Sequence, residues 1–431
     1  MNYLKRIWSS KRLRYKILFT LAAIVIVRFA SAIPVPGANV QALRNILEGN
    51  SFLGAFAVLT GGSMDNFSII LMGLSPYINA SIIMQLMTVV VPKLESLSKE
   101  GDTGRKRINS YTRWLTLPLS FLQSYGMILL LNKLGGQTQL VPDTSITAIL
   151  PMMLMITAGT LFLMWLGEVI SEHGIGNGIS IIIFTSIVSG IPTIVGQQLG
   201  LAQYDQSQLV PFFIIVAITA LLTAFVVTMT EAQRNIPITY AGRSTKGGQG
   251  TSFIPIRLNQ AGMIPIIFAV SMVTFPQVLA GLFVNASTQW LRDAANWVNT
   301  NFSQTSTEYV IALFAFVFFF TFFYVSITFN PQQVAENIQK RGGFVPGIRP
   351  GINTVQFLGK TSLRLNLWGG FFLGFISIFP FILNKAFSQF SLPSVPLLIG
   401  GAGVIIIVGV IIEIIRQINA DLLMRDYEAI K

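Results

Sequence analysis

The sequence predicts an all-α membrane protein with ten transmembrane helices. The chain of 431 residues is 52% hydrophobic, only 11% of it is charged, and its apolar residues form long runs. Soluble domains carry about 25% charged residues, so this chain has too little charge to cover a surface in water. With no cysteine and one histidine, disulfides, cysteine-bound zinc and histidine-rich metal centres are excluded, and no cofactor is expected.

Ten apolar runs have the length of about 20 residues that a helix needs to cross a bilayer. They are residues 17–33, 68–91, 114–132, 148–168, 178–198, 209–229, 260–284, 309–328, 366–384 and 395–415. The two clearest are 309–328 and 395–415, which contain no charged residue before Glu413.

Basic residues set the predicted orientation, because Lys and Arg are retained on the cytoplasmic side of a membrane. Ten spans place both termini on the same side of the membrane. The segments on that side hold 24 of the 29 Lys and Arg residues, and the segments on the opposite side hold four. A miscounted helix would swap every later loop, so both termini are predicted to be cytoplasmic. One alternative stays open: a basic region, an apolar run and Ala30-Ser31-Ala32 also fit a cleavable signal peptide.

A short apolar segment, residues 51–60, follows the first span. At 1.5 Å per residue it would form a helix of roughly 14 Å, about half of a bilayer core. Such a segment fits a re-entrant element, and it equally fits an amphipathic helix on the outer leaflet.

The second and seventh spans share a GxxP pattern, at residues 73–76 and 262–265, separated by 189 residues. Interrupted helices at matching positions are typical of inverted repeats. We therefore predict two five-helix halves, residues 1–200 and 201–431. The alternative is that proline is simply common at helix N-termini.

Charged residues are almost absent from the middle of the spans. Arg28, Glu168, Glu231 and Glu413 all lie near helix ends, where their side chains reach the interface. Any pathway must therefore be lined by neutral side chains. Two isoleucine pairs with helical spacing, at 78/82 and 183/187, would each present one face, although such pairs also pack against neighbouring helices or lipid.

Two long loops lie on the predicted cytoplasmic side. Residues 230–259 contain two arms with β propensity, 236–240 and 252–256, around a glycine-rich centre, which predicts a hairpin. Residues 329–365 contain a Gly- and Pro-rich stretch around Arg349, which predicts a structured turn that presents one guanidinium group.

Several motifs along the whole chain point to one known family. They are residues 33–37 (IPVPG), 76–82 (PYINASI), 165–168 (WLGE), 174–180 (GIGNGIS), 259–265 (NQAGMIP) and 342–351 (GGFVPGIRPG). With them the chain resembles the SecY family, the channel subunits of the bacterial Sec protein translocon. The resemblance implies a multi-pass protein of the bacterial cell membrane that passes unfolded polypeptides across it and releases transmembrane segments laterally into lipid.

The resemblance also implies roles for single residues. A short helix over about 52–67 plugs the pore, with residues Phe52, Leu53, Gly54, Ala55, Phe56, Ala57, Val58 and Leu59. The pore ring consists of Ile78, Ile82, Ile183, Ile187, Ile267 and Ile406. Polar residues tune a lateral gate between spans two, three, seven and eight: Thr88, Gln123 and Asn259. An apolar ring fits a moving chain of any sequence and resists ion leakage, because water is unfavourable in a narrow apolar constriction.

The expected partners are the SecE and SecG subunits, the SecA ATPase, the ribosome through its RNA, signal peptides, nascent polypeptides and membrane lipids. The implied docking residues are Arg349, Arg341, Lys340, Arg243 and Lys246. The chain contains no GxxxxGK[ST] motif, so its energy must come from a partner. No acidic pair, HExxH motif or Ser/His combination lies within the spans, so the chain is not expected to be an enzyme. A secondary transporter with an inverted repeat is the alternative, although the lack of central charges argues against it.

Overall fold

The computed structural model describes residues 2–39, 43, 66–134, 141, 145–204, 209–245, 248–283, 287–302, 306–389 and 400–428. These residues form fourteen helices and three strands. The helices are α1 (Asn2–Ser9), α2 (Lys11–Ser31), α3 (Ser75–Val90), α4 (Pro92–Lys99), α5 (Asp102–Leu134), α6 (Ile146–His173), α7 (Gly178–Tyr204), α8 (Leu209–Glu231), α9 (Ile264–Phe283), α10 (Gln289–Asn301), α11 (Thr307–Thr328), α12 (Pro331–Lys340), α13 (Ile352–Gln389) and α14 (Gly401–Glu428). The strands are β1 (Gln233–Thr245), β2 (Gly248–Arg257) and β3 (Gly343–Phe344).

Each of the ten predicted spans coincides with a helix, namely α2, α3, α5, α6, α7, α8, α9, α11, α13 or α14. By length and composition, seven helices within the described ranges can cross a membrane. The number is eight when α3 and α4, which meet at a bend of 104°, count as one span. The all-α membrane fold is confirmed, whereas the count of ten stays a prediction.

Two helices begin later than their apolar runs, because a turn precedes each of them. The first approach segment, residues 66–74, consists of consecutive turns, with Phe67 at φ 46° and Gly73 at φ 54°. The second approach segment, residues 258–263, contains Gly262 at φ 66°. Left-handed backbone cannot continue an α-helix, so α3 begins at residue 75 instead of 68, and α9 at 264 instead of 260.

Two other helices begin at least twelve residues before their apolar runs. Helix α5 starts at residue 102 instead of 114, and α13 at 352 instead of 366. Both additions are polar, since residues 105–107 read RKR and residues 359–364 read GKTSLR. Hydropathy finds only the part of a helix that the bilayer covers, so it misses such extensions.

The chain divides into two compact units. The first comprises Met1–Phe213, Val270–Val310 and Ile406–Lys431, and the second comprises Ile214–Ala269 and Ile311–Ile405. Apolar side chains that include Phe67, Leu71, Ile128, Leu131 and Ile156 form a core in the first unit. These residues come from the first approach segment, α5 and α6, so the turns before α3 are buried inside this unit.

The second unit contains a three-stranded sheet in the order β2-β1-β3. Strands β1 and β2 form the predicted hairpin, with Ile236 opposite Ile254 and Ile238 opposite Ser252. The sequence analysis missed the two-residue strand β3, which pairs with β1 through Phe344 opposite Thr239. The two long loops therefore form one sheet.

Candidate functional site

The segment that contains the predicted plug has its two ends held together. Pro34 and Ser68 form an antiparallel bridge. The Val35 amide donates to the Phe67 carbonyl (2.8 Å), and the Ile69 amide donates to the Ile33 carbonyl (3.0 Å). The plug residues Phe52 to Leu59 themselves lie outside the described residues.

The first approach segment is packed tightly against α6. A Cβ atom added to Gly159 would overlap the carbonyl oxygen of Ile69, so only glycine allows this close approach. Phe67 is completely buried, although its backbone is left-handed. A left-handed conformation is costly for a bulky residue, so the surrounding packing must hold it.

The predicted ring isoleucines all lie on helices. Ile78 and Ile82 on α3, Ile187 on α7 and Ile406 on α14 are buried, and Ile183 and Ile267 are half-buried. Ile267 lies in the second unit and the other five lie in the first. Burial of an isoleucine fits ordinary packing as well as a pore ring, so the ring stays a prediction.

The three polar residues assigned to the gate differ in how their hydrogen-bonding groups are satisfied. Thr88 is half-buried, and its hydroxyl donates to the Gln85 carbonyl (2.6 Å). Gln123 is 1% exposed, and neither of its amide atoms has a hydrogen-bond partner among the described residues. Asn259 is also buried, and its side-chain oxygen has no partner in the same part of the chain.

A buried amide without a partner costs free energy, because it has lost its hydrogen bonds to water. Native proteins contain few such groups, and each one needs an explanation. Gln123 and Asn259 share this property with other buried residues of the described ranges, among them Thr157, Thr160 and Asn366, so their place in a gate stays a prediction.

The sheet in the second unit covers its own small core. Its buried residues come from β1, β2, α12, α13 and the connection after β3: Ile236, Ile238, Ile256, Ala335, Ile338, Val345 and Leu358. Helix α12 starts at a capped end, because the Asn330 side chain accepts from the amides of Gln332 and Gln333 and Pro331 fits the first turn. The sequence analysis missed this helix, although the Asn-Pro pair signals its start.

Arg349 is exposed on a turn that this core supports. Gly347 and Gly351 on either side have left-handed φ values of 81° and 100°, which only glycine adopts easily. The Thr354 hydroxyl donates to the Arg349 carbonyl (3.1 Å). The backbone at Arg349 is therefore held in place while its guanidinium group is open to solvent.

The other basic residues assigned to docking are less constrained. Lys340 and Arg341 are exposed at the end of α12, and Lys340 lies 3.8 Å from Glu336 in a surface ion pair. Arg243 lies in β1, while Lys246 lies outside the described residues. Among the predicted docking residues, Arg349 is thus the one whose backbone is held by flanking glycine turns and a side-chain hydrogen bond.

The structure also joins residues that the sequence analysis did not connect. Lys16 of α2 and Asp421 of α14 form a half-buried ion pair (2.8 Å), and the Gly176 amide donates to the Gln417 side chain. Apolar residues pack beside these pairs: Ile7, Leu13, Ile175 and Leu422. This terminal cluster ties the first and last helices together within the first unit, and no local pattern could reveal a pair 405 positions apart.

Charged residues near the helix ends have partners as well. Arg113 Nε of α5 donates to Glu168 Oε1 of α6 (2.8 Å), and Arg28 of α2 donates to the Ser189 hydroxyl of α7 (2.8 Å). Within the described ranges, no group of three or more His, Asp or Glu side chains is placed to hold a metal ion.

These helices define a multi-pass α-helical membrane protein. The SecY family model matches residues 68–415. The chain is 39% identical over 442 residues to the protein translocase subunit SecY of Streptomyces galbus, with 98% of each chain covered. It is 39% identical over 428 residues to that of Bacillus subtilis (strain 168), with 96% of each covered. The chain belongs to the SecY family, which confirms the resemblance found in its motifs.

Solved structures share the fold at low sequence identity. A structure described as a protein conducting channel matches with a TM-score of 0.66 and 18% identity, covering 94% of this chain and 92% of the other. Sec61 in a canine ribosome-channel complex matches with a TM-score of 0.62, 18% identity and the same coverage.

Proposed function

We infer that this chain is the central protein-conducting channel of a Sec translocon and not an enzyme. It passes unfolded polypeptides across a membrane and releases transmembrane segments laterally into lipid. The observation that carries this inference is family membership over nearly the whole chain. The lack of charge in the middle of the spans supports it, because a channel that passes polypeptides of any sequence must not bind particular side chains.

The resting seal is formed by the plug and the isoleucine ring, between two halves at 1–200 and 201–431. The bridge between Pro34 and Ser68 supports the plug, because it brings both ends of that segment to one place. A SecY structure described as having a plug domain that maintains a membrane seal shares this fold, with a TM-score of 0.65 and 18% identity. The GxxP turns before α3 and α9 support the repeat, since Gly73 and Gly262 adopt the same left-handed backbone.

The lateral gate contains Thr88, Gln123 and Asn259. The buried Gln123 amide and the buried Asn259 side-chain oxygen, which have no hydrogen-bond partner within the described ranges, support this role. Buried polar groups without hydrogen bonds make the closed gate less stable than it would be with apolar side chains at the same positions. A signal sequence then needs less free energy to open the gate, and its own apolar surface favours transfer to lipid.

The three-stranded sheet and the Arg349 turn form the docking surface for SecA and for the ribosome, on the cytoplasmic side. Two of the solved structures that share the fold are ribosome-bound complexes, canine Sec61 and yeast Ssh1. A guanidinium group pairs well with carboxylates and phosphates, so Arg349 suits both partners. SecE and SecG complete the complex, and both termini face the cytoplasm of a bacterial cell membrane.

The docking role is tested by reconstituting the chain with SecE in vesicles and measuring SecA-driven import of a preprotein. We expect Arg349→Glu to reduce import by about tenfold or more, because it removes a charged partner and introduces repulsion. Arg364→Glu makes the same charge change on an exposed part of α13 and should import normally. Normal import by Arg349→Glu would refute docking through this residue and leave the channel function standing.

The seal is tested separately by ion conductance in planar bilayers. Deletion of residues 53–62 and replacement of the ring isoleucines by glycine should each raise the conductance of the resting complex, because both remove apolar obstruction. Replacement of Ile311, an exposed residue of α11 outside the proposed ring, is the control. Conductance that remains unchanged in both variants would contradict the assigned seal.

A further inference from the structure

We propose that α10 lies along the membrane interface and inserts the face formed by Trp290 and Trp297 among the lipid headgroups. This surface plays no part in the proposed channel, gate or docking roles. The inference concerns contact with lipid and does not depend on which side of the membrane α10 occupies.

The first observation is the pattern of exposure around α10. Trp290 and Trp297 are 68% and 58% exposed, and seven residues place them on the same helical face, about 20° apart. Arg292 and Asn296 are also exposed, and they lie about 100–160° around the helix from the two tryptophans. Ala295 is buried. Helix α10 therefore has a packed face, a tryptophan face and a polar face.

The second observation is that the packed face fixes the position of α10 at the end of an apolar helix. Ala295 and Val298 pack against Ala280 in the last turn of α9. The Gln277 amide of α9 donates to the Phe302 carbonyl just after α10. Because α9 coincides with the seventh predicted membrane span, these contacts hold α10 at the end of that span.

The other end of α10 is tied to the next apolar helix. The Ser306 hydroxyl donates to the Asn301 carbonyl at the end of α10, and it accepts from the Tyr309 amide in α11 (3.2 Å). Helix α10 is thus connected by hydrogen bonds to α9 and to α11. It cannot rise far from the membrane surface without breaking both connections.

The third observation is the chemistry of the exposed face. Tryptophan has a large apolar ring and one N–H donor, and it is enriched where hydrocarbon meets headgroups. Two such rings on one face and polar residues on another are typical of a helix that lies in the interface plane. Phe283 at the end of α9 is a further exposed aromatic side chain. The lipid interface is therefore the partner that fits this face.

The absence of cysteine from the chain makes site-directed spin labelling a direct test. Single substitutions Trp290→Cys, Trp297→Cys, Arg292→Cys and Asn296→Cys are labelled with a nitroxide in the SecE-containing complex, reconstituted in phosphatidylethanolamine and phosphatidylglycerol vesicles. Collisions with oxygen, which concentrates in lipid, are compared with collisions with a water-soluble nickel complex. Positions 292 and 296 are the matched controls, because both are exposed on the polar face of the same helix.

We expect a several-fold higher ratio of oxygen to nickel collisions at positions 290 and 297 than at 292 and 296. Equal ratios at all four positions would show that the tryptophan face lies in water and would overturn the proposal. Protection of positions 290 and 297 from both reagents would overturn it too, because it would show that a protein covers the face.

A second measurement avoids the cysteine variants. Tryptophan fluorescence of the unmodified chain in vesicles with lipids brominated near the headgroups should be quenched more than that of Trp290→Phe/Trp297→Phe. Equal fractional quenching in the two proteins would also count against contact between this face and lipid.

Discussion

The two approach segments before α3 and α9 share a local shape and differ in what holds them. Gly73 and Gly262 both have left-handed backbone, and each lies two residues before a helix start. The first segment is surrounded by apolar side chains and pressed against Gly159 of α6. The second is also packed closely, since a Cβ atom on Gly369 of α13 would overlap the Leu258 carbonyl oxygen. In addition, the Ser362 hydroxyl of α13 donates to the Gln260 side chain (2.9 Å).

The segments also differ in what they connect. The first follows directly on the bridge that closes the proposed plug segment. The second begins immediately after β2 of the sheet in the proposed docking surface. The same turn therefore links one helix start to the proposed seal and the other to the proposed docking surface. Both segments are packed closely, and the second has in addition a side-chain hydrogen bond to α13.

The largest expected effect comes from Gly159→Ala, which breaks the packing of the first approach segment. The new methyl group would collide with the Ile69 carbonyl, so we expect a net loss of stability of about 2 kcal/mol or more. Gly196→Ala on α7 is the control, because nothing lies within 4 Å of its added Cβ. Unfolding in mixed detergent micelles measures both variants, and equal stabilities would contradict the tight approach.

A smaller loss is expected from Ser362→Ala, which weakens the second approach segment. The Gln260 side-chain oxygen loses its donor, which costs about 1–2 kcal/mol for a partly buried group. Ser326→Ala is the matched control, since that hydroxyl is exposed and donates only within its own helix. The same detergent titration applies, and an equal response of the two serine variants would refute a holding role for Ser362.

A gain of about 1 kcal/mol is expected from Gln123→Leu, because an apolar side chain replaces a buried amide that lacks partners in the described structure. In the proposed gate, the same change should slow preprotein import by making the closed state more stable. Gln85→Leu is the control, since the Gln85 amide already bonds the Ser81 hydroxyl. A loss of stability in Gln123→Leu would instead show that the Gln123 amide forms a hydrogen bond in the folded protein.

The smallest effect is expected from Lys340→Ala at the edge of the proposed docking surface. Its ion pair with Glu336 is exposed, and exposed pairs contribute only about 0.2–1 kcal/mol. Stability should therefore change by less than about 0.5 kcal/mol, measured at low salt where the pair is strongest. A larger change would show that Lys340 takes part in the packing of α12.

Sequence reasoning located helices and the hairpin because their signals are local. Apolar runs marked a helix at each of the ten places, and residues 236–240 and 252–256 carry the β propensity that the hairpin uses. It misplaced the start of α3 because the turns at 66–74 are as apolar as the helix itself. Left-handed backbone at Phe67 follows from tertiary packing, which composition does not report.

The site was harder to predict than the fold for the same reason. The turn around Arg349 was visible in its glycines and prolines, but β3 is only two residues long, and its partner in β1 lies about a hundred positions earlier. The pairs Lys16–Asp421 and Gln260–Ser362 depend on folding across the chain. Unpaired amides such as Gln123 become recognisable only when burial and partners are both known.

The bridge between Pro34 and Ser68 has a kinetic consequence. Because both ends of the intervening segment are held at one place, displacement of the proposed plug by a passing polypeptide leaves it tethered beside the pore. A tethered group returns at a rate set by its effective concentration, which is about millimolar for short connections. Resealing should therefore be fast and first order. The duration of ion leakage should depend on how long the substrate takes to pass and not on the time the plug takes to return.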